Sequence, residues 1–518
     1  MIDYIDALST ELLLTSVGLV LGYLALRKLS PRRLPLPPGP PSYPIVGQLF
    51  SMPRSSEGHA FMELSARLNS DIISYSFLGN TIIVLNSNEV AHDLLEKRSI
   101  IHSGRYCAPM LASPNLINMK NFLPFMNTNE LWKKQRRAIN SRLSSHAVTM
   151  LRAAQDSEAR RLLARLLAAH EEPMTSEHLN AEFYRTTSAL FLQSVYGYEL
   201  KSSEDQFLND IISLNSVLNQ ASLPTGFLVN VFPWMEHIPD WFPGTGWKQT
   251  AYQWRALKDR AIDNVYNWSK QRIIDGLDDS SVVSHIYRDA RQTGFNEADA
   301  DDFCKNYIDS ILSTRTKGAQ KQQSTLAMLW FVVAMAMYPD IQEKAQQEID
   351  QIVGTDRLPN AEDRPSLRYV ERLLTEIKLM LLPSRGVPHV CTEENEYRGY
   401  RIPKGAVMIG HIRATVREEH VYKDAEEFNP DRFLDPTVPP PQAFGICPGQ
   451  HFFREMFYIE VVLILATMKV ERCKDENGKD IVPTAETTEN NVISRPVPFK
   501  VKIVPRSEHH AELIRTAV

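Results

Sequence analysis

A chain of 518 residues, 43% hydrophobic and 23% charged, holds enough apolar material for a sizeable core. Its formal net charge of -5 argues against a nucleic-acid binder working through a basic face. Five cysteines, Cys107, Cys304, Cys391, Cys447 and Cys473, are odd in number and lack CxxC or zinc-like spacing, so a disulfide framework is not expected.

In chain order, the first feature is an uncharged run from Leu12 to Leu26, preceded by Asp3, Asp6 and Glu11 and followed by Arg27, Lys28, Arg32 and Arg33. That asymmetry fits an uncleaved membrane anchor over residues 1–30 with the rest of the chain in the cytosol. Roughly fifteen helical residues reach only ~22 Å of a ~30 Å hydrocarbon core, so residues from about Ile5 must also enter or the bilayer must thin. A cleaved signal peptide is the rival reading; it fits less well because the basic cluster follows the apolar run. Leu34-Pro35-Leu36-Pro37-Pro38-Gly39-Pro40-Pro41 forbids helix, and residues 31–41 read as a stiff proline-rich hinge. Without repeats or linker-like segments beyond it, residues 42–518 read as one domain.

Ile72 to Leu85 alternates around Gly79-Asn80 and predicts a hairpin. Helical signals then dominate: Ala147 to Ala169 has apolar residues at three- and four-residue spacing, and Asp302 to Met337 reads as one long helix stopped at Tyr338-Pro339. A second amphipathic helix runs through Ile352, and strand-like pieces return at Glu396 to Ile409 and Val492 to Val504. The sum is a mainly α chain with small β-sheets. Between Leu223 and Trp247, Trp234, Trp241 and Trp247 lie among prolines; they either pack on neighbouring helices or form an apolar surface suited to a lipid interface.

Several motifs fall in a telling order: Trp132-Lys133-Lys134-Gln135-Arg136, Glu376-Ile377-Lys378-Leu379, Gly386-Val387-Pro388-His389, Tyr397 to Gly405, Phe428 to Phe433, then Phe444-Gly445-Ile446-Cys447-Pro448-Gly449, with Val497-Pro498-Phe499-Lys500 near the end. This series resembles the cytochrome P-450 family, of the fungal microsomal type, over nearly the whole chain. The resemblance implies the P-450 fold preceded by one transmembrane helix, haem b as cofactor, and Cys447 as thiolate ligand to the iron. It further implies that Trp132 and Arg136, on one helical face by their spacing of four, reach a haem propionate. An NADPH-dependent reductase would dock near Lys133, Lys134 and Arg137. The protein would sit in the endoplasmic reticulum membrane with a single span and act on a small apolar metabolite.

Three chemical signatures depart from the family pattern. Aligned on Ser324-Thr325-Leu326, the oxygen-binding segment of the long helix keeps Gly318, but Gln320 replaces the usual acid and Lys321 the usual alcohol. An amide cannot supply a proton, so the common relay would have to be rebuilt. If Lys321 points inward, desolvation lowers its pKa and makes it a base, an iron ligand or an anion anchor; if outward, it belongs to a solvated basic face. Leu379 replaces the arginine of ExxR, so Glu376 is expected to pair directly with Arg432 of the PERF-type segment. The cysteine loop lacks about four residues, including the arginine that usually holds a propionate. Without iron, Cys447 would be a small buried hydrophobe.

Three functional readings remain open on these grounds. One is a haem-thiolate oxidoreductase of monooxygenase lineage with an atypical oxygen-activation site, working in fungal secondary metabolism. A second reuses the fold for cyclisation, rearrangement or dehydration without oxygen. The third is a non-catalytic scaffold. Metal-diphosphate chemistry is disfavoured, because Asn209-Asp210-Ile211-Ile212-Ser213 has Val217 where the resembling terpene-synthase motif needs glutamate, and Asp301-Asp302 lacks the later acid of DDxxD.

Overall fold

The computed structural model describes residues 34–44, 46–53, 57–202, 204–222, 226–305, 318–381, 388–441, 449–488 and 495–517, with the side chains of 215, 219, 318–323, 380, 381 and 488 outside the described set. The anchor segment over residues 1–30 therefore lies outside the described residues. Among those described, no single helix is long and apolar enough to cross a membrane.

The central helix Gly318–Met337 is apolar on every face from Leu326 to Ala336, and such a helix must be enclosed. It is enclosed by the helices Arg152–Ala168, Ser176–Tyr196, Pro339–Ile352, Arg368–Leu381 and Gln450–Thr467, which share one hydrophobic core with it. A second core lies under the helices Gln206–Ser222 and Gly246–Ile274 and takes in Met110, Ile117, Phe122 and Val229.

Five short strands form the main sheet, in the order Ile72–Phe77, Asn80–Leu85, Val407–Gly410, His389–Val390 and Gly104–Arg105. Its first hairpin turns at Leu78-Gly79, not Gly79-Asn80. Both turn residues have positive φ, 47° and 83°, the two-residue turn whose twist matches its strands. Proline carbonyls of the 34–41 segment stitch it to two sheets: the amide of Ser74, on this sheet's edge strand, donates to Pro38, and that of Arg401, in the separate hairpin of Asn395–Tyr397 and Tyr400–Ile402, donates to Pro35, both at 2.8 Å. The helical signals from Ala147 to Ala169 fall in two helices, Ser145–Thr149 and Arg152–Ala168, separated at Met150-Leu151. Of the long helix expected from Asp302, the described residues include Asp302 to Lys305 and then Gly318–Met337.

Candidate active site

Helix Glu130–Leu143 starts where Asn129 Oδ1 accepts the amide of Trp132 at 2.8 Å, a cap that fixes the indole in the first turn. Trp132 packs against the second core, and Arg136 follows one turn later, half-buried. Within electrostatic reach of Arg136 is a cation the sequence reading did not single out, Arg105. Burial first, and then the charge of Arg136, push the pKa of Arg105 down to about 10, and no carboxylate among the described residues offsets either influence. A guanidinium held this way in a sheltered place favours an anion beside it.

Arg105 is placed by the short strand Gly104–Arg105, which pairs antiparallel with His389–Val390 so that Arg105 and His389 are direct partners. Direct partners point to one face, so the buried His389 joins the same side. Gly104 permits the pairing, since a Cβ there would sit 2.5 Å from the Val390 carbonyl oxygen. A small residue before an arginine, and a Pro-His pair in a strand, were the available sequence signals. Only the strand pairing gives them meaning.

Glu376 and Arg432 are brought together. Arg432 Nε donates to Glu376 Oε2 at 3.0 Å and Oε1 at 3.2 Å, and the side chains are 4% exposed for the acid and 7% for the arginine. The carboxylate also accepts the Asn429 amide at 2.9 Å, while the remaining Arg432 nitrogens donate to the carbonyls of Lys423, Asp424 and Glu427. Burial is the main influence on Glu376 and raises its pKa, opposed by the Asn429 amide and by Arg432. Leu379, one turn along the helix from Glu376, fills an apolar cluster with Ile412, Val416 and Tyr422. An oily contact thus occupies the place of a third charged member, leaving a neutral dyad. Beside it Lys378 is half-buried, its pKa lowered to about 8 by burial, with the nearby charge of Arg454 adding.

Gly318, Gln320 and Lys321 fall in the first turn of the central helix, but their side chains lie outside the described residues, as does Cys447. The described part of the cysteine region resumes at Gly449, which caps the helix Gln450–Thr467.

The family model for Cytochrome P450 matches residues 37–503. The chain belongs to the cytochrome P450 family. It is 31% identical over 500 residues to Cytochrome P450 monooxygenase 98 of Postia placenta, covering 94% of this chain and 93% of that one. It is also 30% identical to Cytochrome P450 monooxygenase COX1 of Coprinopsis cinerea, covering 98% and 99%, and 31% identical to Cytochrome P450 monooxygenase claR of Ampulloclitocybe clavipes, covering 98% and 94%.

Membership in the P450 monooxygenase family implies a haem-thiolate iron cofactor, a substrate and a redox partner. The described residues fit haem, whose two carboxylates need cationic and N–H partners. Arg105 is such a cation, sheltered, set against the charge of Arg136 and paired across strands with His389, and an anionic partner would relieve the repulsion it feels. Other acids are already engaged: Asp210 pairs with Arg260 at 3.1 Å, and Asp301 with Lys270 at 2.7 Å. Among the described residues no group of three or more His, Cys, Asp or Glu could hold a metal ion.

The tryptophan-rich stretch divides between its two readings. Trp247 packs on the second core, whereas Trp234 and Trp241 are 64% and 80% exposed. Lys133, Lys134 and Arg137 lie on the exposed face of the helix Glu130–Leu143.

Proposed function

We propose that this P450 is a membrane-anchored haem-thiolate oxidoreductase acting on a small apolar metabolite in fungal secondary metabolism, with an atypical oxygen-activation site. The carrying observation is Arg105, a sheltered cation set against a second one, Arg136, with no described carboxylate offsetting it, and with His389 its partner across the strands. A chain that had abandoned its cofactor would gain from losing the Arg105 charge. In this reading Cys447 ligates the iron, and the bound group supplies redox chemistry at the iron. The chain's own work is different. Arg105, Arg136, Trp132 and His389 bind and orient the propionates. The Glu376 and Arg432 dyad holds the segment from Lys423 to Asn429 against the helix Arg368–Leu381.

Proton delivery would differ from the common relay, since Gln320 can orient a water but cannot lose a proton, and Lys321, desolvated, would act as base or anion anchor. The single-pass anchor in the endoplasmic reticulum membrane, with the domain cytosolic, is supported by the charge asymmetry around Leu12 to Leu26 and by exposed Leu228, Trp234, Trp241 and Phe242. A reductase would meet the exposed basic face of Lys133, Lys134 and Arg137.

The replacements at Gln320 and Lys321 favour a second reading, in which the P450 cavity serves cyclisation, rearrangement or dehydration without oxygen. One measurement separates the two: the absorption spectrum of the purified full chain, oxidised and then reduced under carbon monoxide. The expected result is a Soret band at thiolate-carbonyl wavelengths. A nitrogen-ligated low-spin spectrum would assign Lys321 to the iron, and the lack of any Soret band would overturn the oxidoreductase reading.

A further inference from the structure

We propose that Arg413, Arg417 and His59 form a binding site for a phosphate group, a monoester or diester, which takes the place of the Glu426 carboxylate there. The site lies where two elements meet. His411 continues the strand Val407–Gly410, its amide donating to the Leu85 carbonyl at 2.9 Å, and the chain then turns through Ile412–Thr415, which packs on the helix Glu57–Leu68. From that helix the Phe61 ring meets the His411 ring edge-on, with 5.9 Å between centroids. His59, two residues earlier, is exposed, and the charges of Arg413 and Arg417 both act on it.

The two guanidinium groups are sheltered, 14% exposed for Arg413 and 11% for Arg417, yet a single carboxylate oxygen serves both. Glu426 Oε1 lies 2.8 Å from Arg417 Nε, off the hydrogen-bond direction, and 3.6 Å from Arg413 Nη2, beyond hydrogen-bond reach. Arg417 also donates to the Ala425 carbonyl at 3.2 Å. Among the described residues the Nε of each arginine and the Nε2 of fully buried His411 are buried without a hydrogen-bond partner. Burial first, and then the Arg417 charge, lower the pKa of Arg413, with Glu426 opposing. The carboxylates acting on His59 are Glu426 and Glu63, both exposed. Glu426 is 69% exposed, so water solvates it well once it leaves, and its displacement costs little. A phosphate group brings more acceptor oxygens and up to two charges, enough to serve both guanidinium forks and His59 together. It can arrive free or as a lipid headgroup. The helix Glu57–Leu68 packs on the strand Ile72–Phe77, whose Ser74 amide holds the proline-rich segment at Pro38.

The site needs neither haem nor substrate, so it is tested apart from them. Detergent-solubilised full-length protein is titrated with inorganic phosphate or with short-chain phosphatidic acid, ionic strength being held constant with chloride, and the thermal denaturation midpoint is followed. Inorganic phosphate should raise the midpoint saturably. Glu426→Gln, at an exposed position, should tighten phosphate by about threefold or more, and Arg413→Gln should weaken it by about tenfold or more. A rise no greater than chloride gives, an unchanged affinity in Glu426→Gln, or parental affinity in Arg413→Gln would overturn the site. Should Arg413→Gln fail to fold, His59→Ala, on the exposed helix face, should weaken phosphate by about threefold, and parental affinity there would overturn the site equally. Phosphatidic acid bound at least tenfold tighter than inorganic phosphate, with the gain lost in Arg413→Gln, assigns the site to a headgroup. Equal affinities assign it to a soluble phosphate ester.

Discussion

Two charged sites sit in this P450 under opposite rules. At Glu376 and Arg432 every charge has a protein answer: a carboxylate, an amide and three carbonyls close the set. At Arg105 the neighbouring charge is another cation, Arg136, and no described carboxylate offsets the burial. The first arrangement is complete as folded and braces the chain. The second costs free energy as it stands, and the cost is recovered when an anion arrives.

The contrast can be broken most severely at Arg432. Arg432→Ala leaves Glu376 buried without its partner and should cost about 3 to 5 kcal/mol in urea denaturation. Restoring the family's arginine should harm rather than help. Leu379→Arg places a second cation among Ile412, Val416 and Tyr422, with the single carboxylate already engaged, and should lose about 2 to 4 kcal/mol. A gain in stability would mean that Glu376 can serve two arginines.

Another buried carboxyl lacks either solution. Glu460 is enclosed in the helix Gln450–Thr467, and burial pushes its pKa up to about 8 from 4.5, with Arg165 only partly opposing. Because the folded state holds this proton more tightly, folding is penalised progressively as pH rises from about 4.5 to about 8 and uniformly above that. Glu460→Gln should therefore raise stability by about 1 to 3 kcal/mol at pH 8 and by little at pH 5. A pH-independent difference between variant and parent would show that the group stays ionised.

At Arg105 the signs reverse. Arg105→Leu should leave the haem-free chain as stable as before, or more so by up to about 1 kcal/mol, while haem transfer to apomyoglobin speeds by about tenfold. Equal losses of stability and haem would make Arg105 a brace like Arg432. The smallest effect is expected at the surface: Trp234→Ser with Trp241→Ser should weaken binding to phosphatidylcholine vesicles by a few-fold without shifting the denaturation midpoint.

What could be read directly was whatever depends on neighbours in sequence. The turn-former pair near Gly79, the apolar run of the central helix and the four-residue step from Trp132 to Arg136 announce hairpin, buried helix and shared face by periodicity. Even the Glu376 and Arg432 pairing follows from a missing third member: with Leu379 where the family has arginine, the buried carboxylate needs the cation that remains. Arg105 was not legible in this way. It lies 31 residues before Arg136 and 284 before His389 in the chain, and only the pairing of two-residue strands and the close approach at Gly104 bring them to one place.

The sequence by itself determined the family, the mainly helical class and the residues whose chemistry departs from the family pattern, since these are matters of identity and local spacing. The tertiary structure decided which charges are answered within the protein and which are set against a like charge. It paired Glu376 with Arg432 and gave Leu379 an apolar home, left Trp241 exposed while packing Trp247 on the core, and set Arg105 against Arg136. Charge balance and burial are properties of who meets whom in space, and strand pairing and helix packing across hundreds of residues are what fix that.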